Sequence, residues 1–338
     1  MAAIAIAAGV AAVPATAKPR WDVTVSRRKT SAVTSVAEAL ALARAAGRSF
    51  RIFLDEGVWE EKLRLDVPGV TIGGTGPRSI LSFGAASGHQ RPEGGNWGTS
   101  GSASLTIDAP DVTLHDLTVR NSFDYIGNRR SGAVQNAQAV ALAIQRGADR
   151  TRVERCHIEG YQDTLLVNSR ASFRNCIISG NVDFIFGAGA SLFRSCEIVT
   201  RHVPDATGGG YLAAPSTHHA QEFGLVFDRC TVRREAGVPD HSTYLGRPWR
   251  AGGNMELLGA AAFLNCRLDR HIHPDGWTSM GYRDPQGISQ QLQPEEARLA
   301  EYRSSGPGAG PAAPKRRILT AAEANRFTTR NILSGWDG

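Results

Sequence analysis

The chain predicts an all-β solenoid, a parallel β-helix in which successive coils stack. Three observations carry that reading: a segment that repeats every 20 residues, cysteines confined to one position of the repeat, and short apolar runs separated by Gly, Asn and Asp. Cys156, Cys176 and Cys196 fall one period apart, and Gly160-Tyr-Gln-Asp163 is echoed by Gly180-Asn-Val-Asp183. The pattern extends through VTLHDLTV (112–119), RVERCHI (152–158), SFRNCII (172–178), LFRSCEI (192–198), VFDRCTV (226–232) and AFLNCRL (262–268). Units of this length bury an apolar face only against their neighbours, which is what makes a stack. Later copies are spaced more widely, by 34 residues from Phe193 to Phe227 and 36 from Phe227 to Phe263, so long loops should leave the stack there and build a cleft.

All five cysteines occupy the one slot, with Leu117 in the first copy. An odd set at one repeat position reads as an inward ladder of small apolar side chains rather than a disulfide framework or metal site. Adjacent coils lie about 4.7–4.9 Å apart, inside the Cα separation a disulfide tolerates, so a neighbouring pair such as Cys176 and Cys196 is able to oxidise.

Two helices flank the repeats. Ser35-Val-Ala-Glu38 opens the run SVAEALALARAAG with capping-box spacing, and Gly47 ends it. This helix should cover the open N-terminal end, where strand edges would otherwise be unpaired. Thr320-Ala-Ala-Glu323 begins a second capped helix, AAEANRFTTRNIL, after the Gly/Pro-rich stretch SSGPGAGPAAP. Too little chain follows that stretch to form a core of its own, so residues 18–300 are expected to be the β-helix and 301–338 a tail and helix packed on it.

Residues 1–17 read as a signal peptide: an apolar stretch from Ala2 to Val13, then Ala15-Thr16-Ala17, the small-x-small cleavage pattern. A secreted or periplasmic protein is expected, with no membrane span in the mature chain. Net charge is +6, from 38 basic and 32 acidic side chains, which suits a polyanionic partner. No recognition helix, zinc finger or aromatic-basic signature points to nucleic acid. Acidic polysaccharide remains compatible, and His218, His219, His271 and His273 have no metal-ligand spacing, so no metal or other cofactor is expected.

Asp163 and Asp183 then become the focus. One repeat apart on one face, two carboxylates cannot both ionise cheaply, so one should remain carboxylate and the other acid near neutral pH. A single Asp after Gly-x-x would be a turn residue; two in register beside Gln162 and FIFG suit acid and nucleophile roles. A serine elbow, G-x-S-x-G, is missing from the sequence, so an esterase here must use carboxylates.

GVWEEKL (57–63), QAVAL (138–142), GYQDTLL (160–166), VDFIFG (182–187), YLGRPW (244–249) and EYRSSGPGA (301–309) occur in an order that resembles the pectin methylesterase (pectinesterase) family of bacterial type. The resemblance spans nearly all of the chain after the leader. It implies a right-handed, pectin-lyase-like parallel β-helix that acts as a monomer on methyl-esterified homogalacturonan, releasing methanol without a cofactor. Carried residue by residue, it implies Asp183 as nucleophile, Asp163 as proton donor and later base, Gln138 and Gln162 as oxyanion donors, and Arg247 as the partner that orients Asp183. Gln138, Phe186, Arg247, Trp249 and Trp277 would meet substrate. Of Phe184 and Phe186 one should point inward, and the resemblance favours Phe186 in the cleft.

Trp59 replaces the Tyr of the family's G-x-Y-x-E, and Met280 stands where HIHPDGWTSMG would usually carry a second Trp. The loops around 85–101 and 201–220 are this chain's own. Other readings are an esterase or thioesterase for another acyl group, and a non-catalytic polysaccharide-binding solenoid. The retained carboxylates, glutamines and arginine argue against the last. A lyase would want a Ca²⁺-binding carboxylate cluster and a chain-cleaving hydrolase carboxylates set around an anomeric carbon.

Overall fold

The computed structural model describes residues 21–28, 31–204, 206 and 209–338. The expected leader, residues 1–17, lies outside the described residues. Among the described residues, three parallel sheets of ten, eight and seven strands run along the stack, and one antiparallel hairpin, Met280–Arg283 with Ser289–Leu292, stands apart from them. One coil uses Thr151–Glu154, His157–Glu159 and Leu165–Val167; the next uses Ala171–Arg174, Ile177–Gly180 and Ile185–Gly187. Phe173 pairs with Phe193, Ile178 with Ile198 and Leu165 with Ile185, so the 20-residue repeat is one coil.

Inward side chains form ladders. Phe173, Phe193, Phe227 and Phe263 stack with ring centroids 4.5, 4.7 and 4.3 Å apart and planes within 14° of parallel, the offset arrangement aromatic quadrupoles favour. The five cysteines are free and buried in a second ladder. Their thiols are not idle: Cys176, Cys196, Cys230 and Cys266 point at carbonyls of the preceding coil, those of Val153, Phe173, Phe193 and Phe227.

The corner before each cysteine slot is made by one left-handed residue: Asp116, Arg155, Asn175, Ser195, Arg229 and Asn265, all with φ between 51° and 55°. Asn and Asp tolerate this conformation; Arg does so only when the surroundings hold it there. Here the amide of each corner residue donates to the next coil, as Arg155 does to Arg174 and Arg229 to Leu264. Stacking thus compensates for local strain, which is why the corner is poorly marked in residue type.

The N-terminal helix spans Val36–Ala46, with Ser35 accepting from Glu38 and Gly47 closing it at φ 60°. Glu61 supplies an unexpected cap: its two carboxylate oxygens accept the amides of Val36 and Ala37, each at 2.9 Å, where the helix dipole favours negative charge. Val36, Ala39, Leu40 and Ala43 are buried in the main core. The single C-terminal helix expected from 321 to 333 is instead two short ones, Ala321–Ala324 and Thr329–Ile332. Thr320 and Glu323 do form the capping box, but the Thr328 hydroxyl caps Asn331 and restarts the helix, a competition typical of threonine. This tail covers the outer face of the ten-stranded sheet, burying Leu319, Ile332 and Leu333 against Leu192, Val226 and Ala262.

Candidate active site

The seven-stranded sheet carries the site. Gln162 and Val182 form a parallel bridge just before its strands begin, and the Asp163 amide donates to the Val182 carbonyl at 3.0 Å. Asp163 and Asp183 then adopt the left-handed conformation, with φ of 61° and 50°. Asp accepts that geometry more readily than most residues, and using it on two successive coils aims both carboxyls to the same side. The turn also explains the two phenylalanines. Although two residues apart, Phe184 enters the core and Phe186 emerges outside, because Phe184 belongs to the corner and Phe186 to the strand Ile185–Gly187.

Asp163 and Asp183 line one cavity of about 260 Å³ together with Thr99, Gln138, Gln162, Phe186, Ala214, Arg247, Trp249 and Met280. Arg247 grips Asp183 in a fork, Nε to Oδ1 at 2.9 Å and an Nη to Oδ2 at 2.6 Å. Its guanidinium also lies 3.8 Å from the Tyr211 ring centroid. Gly246 lets this arginine reach forward: a β-carbon there would sit 2.3 Å from the Ala213 carbonyl oxygen, so the close approach of neighbouring strands requires glycine. Trp249 is held by its amide on the Pro215 carbonyl, and its indole leans on Phe186 at 5.9 Å.

The two aspartates differ electrostatically. Asp183 is buried against its arginine. Asp163 has no cationic partner among the described residues, and its carboxyl is pushed well above the ordinary carboxylate range, first by burial and then by the Asp183 charge, with Arg247 opposing. The pair is therefore asymmetric: Asp183 is held in an arginine fork, and burial beside it favours the protonated form of Asp163. Gln138 presents an amide oxygen that is buried without a partner; Gln162 adjoins Asp163 on the same wall.

Trp277 requires a correction. It is 0 % exposed, packs on Phe263 with centroids 5.8 Å apart and belongs to the main core, so it offers no face to a ligand. Its backbone pairs with Gly246 instead, supporting the strand that precedes Arg247. Met280, from the hairpin, takes a place in the wall. Thr99, Tyr161 and Tyr211 were not picked out by the sequence patterns. Tyr161 stacks on Tyr125 at 5.2 Å directly before Gln162, and that adjacency was its one visible signal.

Of the histidines, His218 and His219 meet Glu256 at the surface, outside the cavity wall. His218 Nδ1 is occupied by the Ala220 amide. His271 is buried, with burial lowering its pKa to about 4, and lies against the Thr200 hydroxyl.

The Pectinesterase family model matches residues 22–336. Pectinesterase A of Dickeya chrysanthemi is 35% identical over 343 residues, covering 95% of this chain and 93% of that one. Pectinesterase 2 of Citrus sinensis is 30% identical across 94% of this chain and 58% of its own length. Among solved structures, the pectin methylesterase of Erwinia chrysanthemi superposes with a TM-score of 0.90 at 35% identity, covering 94% of this chain and 98% of that chain. The Yersinia enterocolitica pectin methylesterase gives 0.87 at 36%, covering 90% and 100%. A further pectin methylesterase, TM-score 0.90 and 35% identical over 94% of this chain and 98% of its own, is in complex with a hexasaccharide.

Proposed function

The chain belongs to the pectinesterase family, and from that premise we propose that it hydrolyses the methyl esters of homogalacturonan with Asp183 as nucleophile and Asp163 as proton donor. The observation that carries the assignment is the asymmetry of the pair: Arg247 grips Asp183 by two hydrogen bonds, while Asp163, one coil away in the same cavity, has no counter-ion among the described residues. An attacking oxygen must be an anion, and a bidentate guanidinium is the partner that pairs with a carboxylate and fixes its direction. A proton donor must be protonated near neutral pH, which burial and the neighbouring charge favour.

The reaction then runs in two halves. A carboxylate oxygen of Asp183 attacks the ester carbonyl carbon, and the oxyanion that forms is met by the amides of Gln138 and Gln162. Preformed donors of this kind contribute about 2.7–4 kcal/mol each. As the C–O bond to methoxide breaks, Asp163 gives it the proton and methanol leaves, with the galacturonyl group on Asp183 as an anhydride. Asp163, now a carboxylate, takes a proton from water while the hydroxide oxygen attacks the acyl carbon. Cleavage frees Asp183 and a galacturonate carboxyl, and Asp163 is again protonated.

Phe186 and Trp249 form the apolar, aromatic part of the wall that suits a pyranose ring. Every side chain in this scheme comes from one right-handed parallel β-helix, so a single chain holds the whole site and action as a monomer is part of the proposal; export through the predicted leader would bring it to pectin outside the cytoplasm. Incubation with highly methylated pectin should release methanol, and Asp183→Asn should lower that release on the order of 10⁴-fold or more. Folded parent protein that releases no methanol would overturn the assignment.

A further inference from the structure

Lys62 lies outside the cavity wall and is a cation without a carboxylate partner among the described residues. Its ammonium group is 4.4 Å from the Trp97 ring centroid and 5.4 Å from that of Phe83, and it donates to the Ala103 carbonyl at 2.7 Å. Burial alone draws its pKa down to about 8. Burying a charge is costly, and here two aromatic faces and a carbonyl oxygen offset that cost. A leucine would fill such a place without it, so the cation points to a specific attachment.

What it attaches is the arm formed by residues 85–101. The Trp97 amide donates to the His89 carbonyl and the Gly98 amide to Ser87, closing the arm on itself. From the arm, Ser87 donates to the main-chain carbonyl of Gln138 at 2.7 Å, and Gly88 to that of Asn136 at 2.9 Å. Beyond it, the Ser102 hydroxyl accepts the Val140 amide, and Ser104 donates to the Val140 carbonyl. Thr99, two residues after Trp97, enters the cavity wall. On its other side the segment is tied to the next coil, with the Ala139 amide on the Gln162 carbonyl. Since the Gln138 amide oxygen has no hydrogen bond of its own, its place depends on this backbone hold.

We propose that Lys62 is a positioning residue for ester hydrolysis: gripped by Trp97 and Phe83, it fastens the 85–101 arm to the first coils and so fixes Gln138 and Thr99 at the cleft. The inference rests on the reading of Gln138 as an oxyanion donor. Misplacing that donor should reduce turnover more than binding, because the oxyanion exists only in the transition state.

The test uses the full chain with Lys62→Met, Lys62→Arg, Trp97→Leu and the double variant Lys62→Met/Trp97→Leu. It reads kcat and KM on methylated pectin and deuterium exchange of residues 85–101. Lys62→Met should lower kcat between about tenfold and a hundredfold while KM changes by less than about threefold. Exchange in the arm should quicken, Lys62→Arg should recover most of the loss by keeping the cation over the rings, and the double variant should be no slower than the worse single one. Unchanged kcat in Lys62→Met, with or without a lower melting temperature, would make Lys62 only a packing residue and overturn the proposal. Multiplicative effects in the double variant, or unaltered exchange of the arm, would also overturn it. Gln138→Ala separates the premise: full turnover in that variant would remove the oxyanion role whatever happens at Lys62.

Discussion

Asp163 shows how one residue's environment writes both its chemistry and its cost. Its folded pKa is raised from the ordinary 3.8, so the folded state holds a proton that the unfolded chain has released. The stability associated with that proton is full below the unfolded value and is lost as pH rises toward the folded one, at most about 1.4 kcal/mol per pH unit. Asn at this position cannot ionise. Asp163→Asn should therefore melt close to the parent at pH about 4 and above it at pH about 7, while losing methanol release; equal melting at both pH values would refute the raised pKa. Arg247→Lys tests the fork at the other aspartate. Lysine is a point charge that cannot hold both oxygens in plane, and loss of one charge-assisted bond, about 1.5–3 kcal/mol, should lower kcat about tenfold to a hundredfold if the fork orients the attack. The sequence pattern located both aspartates through their 20-residue spacing, but not why they point together: that follows from left-handed φ at two matched corners.

Among the elements, the coil is the unit that resists change. Phe193 is wholly buried and stacked on both sides, by Phe173 and Phe227. Phe193→Ala should cost about 3–5 kcal/mol, seen as a lower denaturation midpoint. Because this ladder lies on the ten-stranded sheet and the site on the seven-stranded one, the folded fraction should keep its kcat. A collapse in kcat at full folding would mean the sheets are coupled through the core. The N-terminal helix was readable from Ser35 and Gly47, whereas its cap by Glu61 was not, since the two lie 26 residues apart and meet only after the first coil closes. The C-terminal region reads as one periodic run, yet the Thr328 hydroxyl divides it.

On the scale of the molecule, the cysteine ladder separates packing from cross-linking. All five thiols are free and buried, and burial raises those of Cys156, Cys176 and Cys230 well above the usual thiol range. A thiol reagent added to native protein should therefore react slowly, and all five groups should titrate on unfolding; a reductant should leave the melting temperature unchanged. Fewer than five groups in the unfolded, unreduced protein would reveal an oxidised pair.

The sequence by itself determined the solenoid, because a stacked coil repeats its inner face and so must repeat Phe, Cys and Ile at a fixed interval. It also determined Asp163, Asp183, Gln138, Gln162 and Arg247 as a candidate set, through motifs short enough to survive as contiguous letters. Only the tertiary structure decided which residues share the cleft. Thr99 and Met280 enter from an arm and a hairpin with no repeat to mark them, and Trp277, a partner for sugar by family resemblance, is enclosed by Phe263 and the core. Periodicity records which face of a coil is buried; the fate of a loop side chain depends on where distant segments come to rest against that face.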